Sequence, residues 1–438
     1  MLTVSKKTII AGAIGNALEM YDYVIWGFFS VYLTKEFLPP QSKLSDIFFL
    51  FLLTYILRPI GSLVGGVFAD QLGRKKILTL SIFLMGFCTS IVGVLPSYEQ
   101  IGVISVFLLL FIRLIQVFAV GSEYISSIAL LIESCDKEKR GYLGSWAPFG
   151  VNAGVLISSL FGVLILYLID IKVLPNWGWR FAFILAFLTM LIGFWIRKSL
   201  PESLEFIIDN ARKEERSFWE ILSETLNIFK MEIFNTILVF SLACFGVCST
   251  ILIFVFAPII MTTVNQIHNT HSFVINSSSL VLLILLIPLF GFISDRLGRT
   301  KTILFGSTTL FLFSMPYFNL ISSGTFYQVL LGHTLIAIPC ASIFAVTPVF
   351  ITEIFPLSIR CSITNLIYSL AACFGGGVTP LIAFKLESYN SHFPGLILVV
   401  LGGINILLLG IYLHKNNKLS FSLILLSEYN LPAKKTDR

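Results

Sequence analysis

Gly66-Val67-Phe68-Ala69-Asp70-Gln71-Leu72-Gly73-Arg74-Lys75-Lys76 is a short charged turn between two long apolar runs. Gly291-Phe292-Ile293-Ser294-Asp295-Arg296-Leu297-Gly298-Arg299-Thr300-Lys301 repeats it, with Gly, Asp, Leu, Gly, Arg and Lys at the same offsets. The copies lie 225 residues apart (295 − 70), about half of a 438-residue chain. A second echo runs beside the first: Glu133 and Arg140 recur as Glu353 and Arg360, an offset of 220 residues (353 − 133). Two echoes at nearly one period indicate a duplicated architecture.

The composition says what solvent the halves fold in. Hydrophobic residues make up 56% of the chain and charged residues 12%, where a soluble domain carries roughly 25% charged residues. Mean hydropathy is +0.90. Apolar runs of about 20 residues, the length that crosses a bilayer core, recur near 9–33, 47–69, 77–95, 102–124, 142–169, 179–199, 232–261, 273–294, 302–322, 326–350, 362–386 and 393–414. The expected fold is an all-α membrane protein of twelve transmembrane helices in two pseudo-symmetric six-helix bundles. Its parts are an N-terminal bundle (1–199), a cytoplasmic linker (200–231), a C-terminal bundle (232–414) and a short cytoplasmic tail (415–438). Of the 30 Lys and Arg residues, 23 fall in the turns and tails of one side and 5 on the other. That bias puts both termini in the cytoplasm. The run after Lys6 and Lys7 holds Glu19 and Asp22 and has no small-residue cleavage site, so it is expected to remain as a helix.

Several chemistries are excluded. The basic residues lie in scattered turns, which is a topology signal and not a nucleic-acid patch. The seven cysteines have no CxxC spacing, and most sit inside apolar runs as small apolar residues. His268 and His271, in an outer loop, have no nearby cysteine at metal-ligand spacing. With no phosphate-binding GxxxxGK[ST], no HExxH and no GxSxG, neither ATP hydrolysis through such a loop nor an enzyme is expected. No cofactor and no metal are expected, and energy must come from an ion or solute gradient.

Helix one carries a polar stripe. Gly12, Asn16, Glu19, Tyr23 and Trp26 step by three or four and share a face, with Asp22 on the same side. Each carboxylate near mid-bilayer costs roughly 2.5–3.5 kcal/mol on insertion scales, which a wet cavity or a basic partner offsets. Asp22, Glu19 and Glu123 are therefore the proton-coupling candidates; the alternative is a static pair that locks helix packing. On helix four, Arg113 and Glu123 are ten residues apart, roughly 15 Å along the axis, too far to pair. Arg113 is expected to meet Glu19, Asp22 or a substrate carboxylate, and Glu123 to lie near the inner end of its run. Asn16, Tyr23, Trp26, Arg113 and Gln116 are the substrate-binding candidates. Tyr21, Tyr23 and Trp26 are also candidates for a quaternary-ammonium cage. Arg58, just before Pro59, either joins the site or satisfies carbonyls that the proline frees. Asp70 and Asp295, at the inner ends of helices two and eight, are placed to face the positive N-terminus of a neighbouring helix and a basic side chain.

With these residues in view, the chain resembles the major facilitator superfamily. Within it, Gly15-Asn16-Ala17-Leu18-Glu19-Met20-Tyr21-Asp22-Tyr23, Arg58-Pro59-Ile60-Gly61, Gln116 with Gly121-Ser122-Glu123-Tyr124, and Trp177-Gly178-Trp179-Arg180 resemble the metabolite:proton symporter family, the proline/betaine transporter-like group. Val117 and Ser122 stand where that group usually has glycine, and Met20 where it has tryptophan. The resemblance implies a conformational latch at Gly66, Asp70, Gly73, Arg74, Asp295, Gly298 and Arg299, joined by Glu133, Arg140, Glu353 and Arg360. It implies rocker-like alternating access in a cell inner membrane. The solute would be small and polar or zwitterionic: proline, betaine, or a di- or tricarboxylate. The tail is too short for the coiled coil of osmosensing members. The expected partners are that solute, protons and the lipid bilayer, with no nucleic acid and no obligate protein partner. The competing expectations are a uniporter or exchanger without proton coupling, and a transporter-like solute sensor.

Overall fold

The structure, a computed structural model, describes residues 6–42, 57–210 and 216–429. Among these residues there are helices and turns and no strand. Ten helical stretches among the described residues are long and apolar enough to cross a membrane. A further helix with Asn16, Glu19 and Asp22 among its apolar residues, and the stretch from Arg58, complete the twelve expected runs.

We number the spans in chain order. Span 1 is Lys6–Phe28, continued after a break at Phe29 by Ser30–Phe37; span 2 is described from Arg58–Leu72; span 3 is Arg74–Val92. Span 4 is Val103–Val120, continued by Glu123–Glu133; span 5 is Trp146–Asp170, entered through the turn Arg140–Gly144; span 6 is Arg180–Lys198. Span 7 runs through Ile233–Thr250, a π-helical segment Ile251–Phe256, and Ala257–Thr263. Spans 8, 9 and 10 are Asn269–Leu297, Arg299–Ser323 and Phe326–Ile354. Span 11 is Arg360–Cys373, a π-helical segment Phe374–Val378, and Thr379–Glu387; span 12 is Gly395–Tyr429.

Packing repeats with the period of the turns. Span 1 packs on span 5, and span 7 on span 11; span 3 packs on span 6, and span 9 on span 12. The two sets meet along two seams, span 2 against span 11 and span 5 with its entry turn against span 8. Gly73 and Gly298 connect spans 2 to 3 and 8 to 9 with φ of 102° and 96°, values that only glycine adopts without strain. Small residues then let the seams close: a Cβ on Gly66 would stand 2.7 Å from the Ser362 Cα, and one on Gly291 2.6 Å from the Gly141 carbonyl. Large exposed apolar side chains such as Phe107, Trp195, Leu285 and Leu407 suit a lipid-facing surface.

One expectation changes. Span 4 continues ten residues past Glu123, because the break at Gly121-Ser122 bends it without ending it; Glu123 therefore lies mid-span and not near an inner end. The linker holds two helices, Leu204–Asn210 and Phe218–Met231. The helix of span 12 runs on through the expected tail as far as Tyr429. The first half of the second run, with residues 43–56, and Ala211-Arg212-Lys213-Glu214-Glu215 of the linker fall outside the described residues.

Candidate functional site: the seams and the buried carboxylates of span 1

Both repeated aspartates sit on the first turn of a helix from the opposite set. Asp70 accepts from the backbone N–H groups of Cys361 and Ser362 at 3.2 and 2.8 Å, and from the Ser362 hydroxyl at 2.6 Å. Asp295 accepts from the backbone N–H groups of Gly141 and Tyr142, both at 2.8 Å. A carboxylate there satisfies donors that the helix itself cannot, and it complements the helix dipole. Each aspartate also pairs with the arginine four residues on: Asp70 with Arg74 at 3.2 Å, Asp295 with Arg299 at 2.6 Å.

These pairs belong to a larger network. Glu133, fully buried, pairs with Arg74 of span 3 at 3.0 Å and with Arg360 of span 11 at 3.0 Å, and accepts from the Ser203 hydroxyl at 2.8 Å. Arg299 also meets Glu353 at 3.3 Å. Glu205 of the linker bridges Arg140 and Arg360. Glu202 accepts from the backbone N–H groups of Arg74 and Lys75, closing the start of span 3. Arg216 donates to the Ser358 carbonyl at 2.7 Å, so the second linker helix is also fastened to the entrance of span 11. All eleven latch candidates thus lie at this one end of the molecule. Glu202, Ser203 and Glu205 were missed; Pro201-Glu202-Ser203 read as plain linker because their partners come from spans 3, 4, 5 and 11.

Further along the bundles, polar contacts cross between the sets in layers. The Asn365 amide donates to the Ser126 hydroxyl at 3.1 Å, and the Ser369 hydroxyl to the Gly121 carbonyl at 3.4 Å. Beside them the rings of Tyr124 and Tyr368 lie 5.2 Å apart, one from each set, both half-buried. Near this layer lie the carboxylates of span 1. Glu19 is 1% exposed, and neither of its oxygens has a hydrogen-bond donor among the described residues. Its charged neighbours are Glu123, Arg197, Arg58 and Asp22. Asp22, 2% exposed, faces the Thr189 hydroxyl of span 6.

Arg197 overturns an expectation. At the end of span 6 beside Lys198, it counts in sequence as a charge of the inner surface. In the structure it is 3% exposed and reaches inward past Gly15 to Glu123, 2.6 Å from its Oε1. Gly15 makes room, since a Cβ there would meet the guanidinium at 2.7 Å. Arg197→Met is expected to lower stability by about 3–5 kcal/mol, because it leaves a buried carboxylate without its partner. Adding Glu123→Gln recovers most of that loss. Thermal unfolding of detergent-solubilised protein reads both variants.

The remaining candidates hold one another. Arg113 donates to Gln116 at 2.7 Å and lies 4.8 Å over the Trp26 ring, while Gln116 donates to the Thr89 hydroxyl at 2.6 Å. Asn16 donates to the Gly12 carbonyl and accepts from Ser127, so its amide ties span 1 to span 4. Tyr21 donates to the Ala182 carbonyl of span 6 at 2.9 Å, which turns it into the bundle and away from any cage. The side chain of Tyr23 lies outside what the structure describes.

The second half holds a polar chain that sequence reasoning passed over. Asn276 donates through Nδ2 to the Phe254 carbonyl in the π segment of span 7, at 3.2 Å. Its Oδ1 is thus the acceptor for His333 Nε2 at 3.1 Å, and His333 Nδ1 accepts from the Tyr317 hydroxyl at 2.6 Å. His333 is completely buried. Tyr317→Phe leaves Nδ1 without a donor, which costs about 1–3 kcal/mol. A melting temperature equal to wild type refutes that assignment. The missed signal was a histidine and an asparagine inside apolar runs.

Residues 8–225 match the family described as sugar (and other) transporter, and residues 238–421 match the Major Facilitator Superfamily. The glycine betaine/proline/ectoine/pipecolic acid transporter OusA of Dickeya dadantii is 30% identical over 412 residues, 92% of this chain and 82% of the relative. The proline/betaine transporter of Escherichia coli K12 is 28% identical over 411 residues, with the same coverage. Among solved structures, the proton:xylose symporter XylE superposes with a TM-score of 0.72 at 18% identity, covering 92% of this chain and 94% of that one. A bacterial homologue of the iron transporter ferroportin in an outward-facing state gives 0.68 at 14%, covering 92% and 98%. These relatives are transporters and not enzymes, and the fold is theirs. The chain is a multi-pass membrane protein of the major facilitator superfamily, and it belongs to the proline/betaine transporter-like group of metabolite:proton symporters.

Proposed function

We propose that this protein imports a small zwitterion of the proline or betaine kind, driven by protons, by alternating access across a bacterial inner membrane with both termini in the cytoplasm. The observation that carries the proton step is Glu19: a buried carboxyl without a hydrogen-bond donor among the described residues. A charge there lacks the partners that the other buried acids have, so it is the group for which gaining or losing a proton changes most. The names of the relatives support the solute class. The closed seams around Asp70 and Asp295 support a conformation shut at the cytoplasmic end. In the proposed cycle, solute and proton enter from outside and neutralise the centre. The two bundles then rock, the aspartates leave their helix ends, and the inner side opens.

Proteoliposomes test this. An imposed inward proton gradient is expected to drive accumulation of proline or glycine betaine above the outside concentration, and dissipating the gradient is expected to abolish it. Counterflow without any response to the gradient supports an exchanger or uniporter. Saturable binding with no counterflow supports a sensor.

A further inference from the structure

The aromatic residues that sequence reasoning offered to a cationic solute are committed elsewhere: Tyr21 to the Ala182 carbonyl and Trp26 to the guanidinium of Arg113. Tyr124 and Tyr368 differ. They come from different sets of spans, stay half-buried, and form the layer nearest the span-1 carboxylates. Both rings lie within electrostatic reach of Glu19, whose oxygens have no donor among the described residues. Arg58, at the start of the described part of span 2, is within electrostatic reach of Glu19 and Tyr368.

We propose that Tyr124 and Tyr368 form the floor of the solute site and receive the cationic nitrogen of a zwitterion on their ring faces, with Arg58 as the anchor of its carboxylate. This rests on the zwitterion reading of the preceding subsection. A cation over tyrosine rings is stabilised by the ring quadrupole, most strongly where water is excluded. The floor is built from both sets of spans, so a solute on it touches both. Inward opening separates the two rings and dismantles the site, which releases the solute on that side.

The test is uptake into proteoliposomes of glycine betaine, alone and in competition with 3,3-dimethylbutanoate, its tert-butyl analogue, in which an uncharged carbon replaces the cationic nitrogen. Tyr368→Phe keeps the ring, and its KM is expected within about twofold of wild type. Tyr368→Leu and Tyr124→Leu are each expected to raise KM about tenfold, a factor equal to 1.4 kcal/mol. They are also expected to erase the preference for the cationic headgroup over the uncharged tert-butyl one, which a merely structural role would leave intact. Two leucine variants guard against one failing to fold. Saturable wild-type uptake with unchanged KM and unchanged preference in the leucine variants overturns the assignment of the tyrosines alone. Wild-type protein that neither binds nor transports a zwitterion overturns the preceding reading and this one with it.

Discussion

Asp70→Asn is expected to slow transport by roughly tenfold or more and to shift the protein towards an open inner side. The carboxylate is fully buried and accepts three hydrogen bonds from the first turn of span 11 while pairing with Arg74. Removing one partner from such a buried charged arrangement costs about 2–5 kcal/mol. The loss falls on the closed seam alone, because the contact cannot survive separation of spans 2 and 11. Since each 1.4 kcal/mol is about tenfold in an equilibrium, the closed state loses its dominance. Cys361 is a native reporter, completely buried and bonded through its backbone to Asp70. In a variant with Cys361 as the only cysteine, Asp70→Asn is expected to raise the alkylation rate about tenfold. Asp295→Asn acts in the same direction and more weakly, since Asp295 makes two backbone contacts and is partly exposed. Unchanged Cys361 labelling in both variants would remove the seams from the cycle.

Glu19→Gln is expected to separate movement of solute from accumulation. A symporter that carries one proton per solute concentrates up to about tenfold per unit of imposed pH gradient, since one pH unit corresponds to 1.36 kcal/mol. The amide keeps the shape of the side chain and its neutral form, so binding and exchange survive. With no proton to release, accumulation falls to equality across the membrane while counterflow continues. Glu123→Gln behaves differently: it strands Arg197 and lowers stability. If the Glu19→Gln protein still concentrates solute against a gradient as wild type does, the proton site lies elsewhere.

What could be read from the chain followed from how far each residue's partners lie along it. The repeated turns were legible because their chemistry is local. A glycine with positive φ ends one helix and starts the next, and an aspartate three residues before it is left at a helix end, where it needs donors. The stripe on span 1 was legible from helical spacing. Glu133 was visible only as half of an echo, because its partner Arg360 stands 227 residues away. Arg197 misled because position beside Lys198 at the end of an apolar run is the mark of a surface charge; its depth depends on a missing side chain at Gly15. The length of span 4 was hidden by Gly121-Ser122, a bend that imitates an ending. Tyr124 and Tyr368 were two among many aromatics until the packing of spans 4 and 11 brought them together.

The linker has a mechanical consequence. It is stitched to both sides of the joint it crosses, through Glu205 to Arg140 and Arg360 and through Arg216 to the Ser358 carbonyl. Any tilt that parts the bundles there has to peel this strap away first. A small binding protein raised against the folded strap is expected to act as a splint that keeps both seams closed.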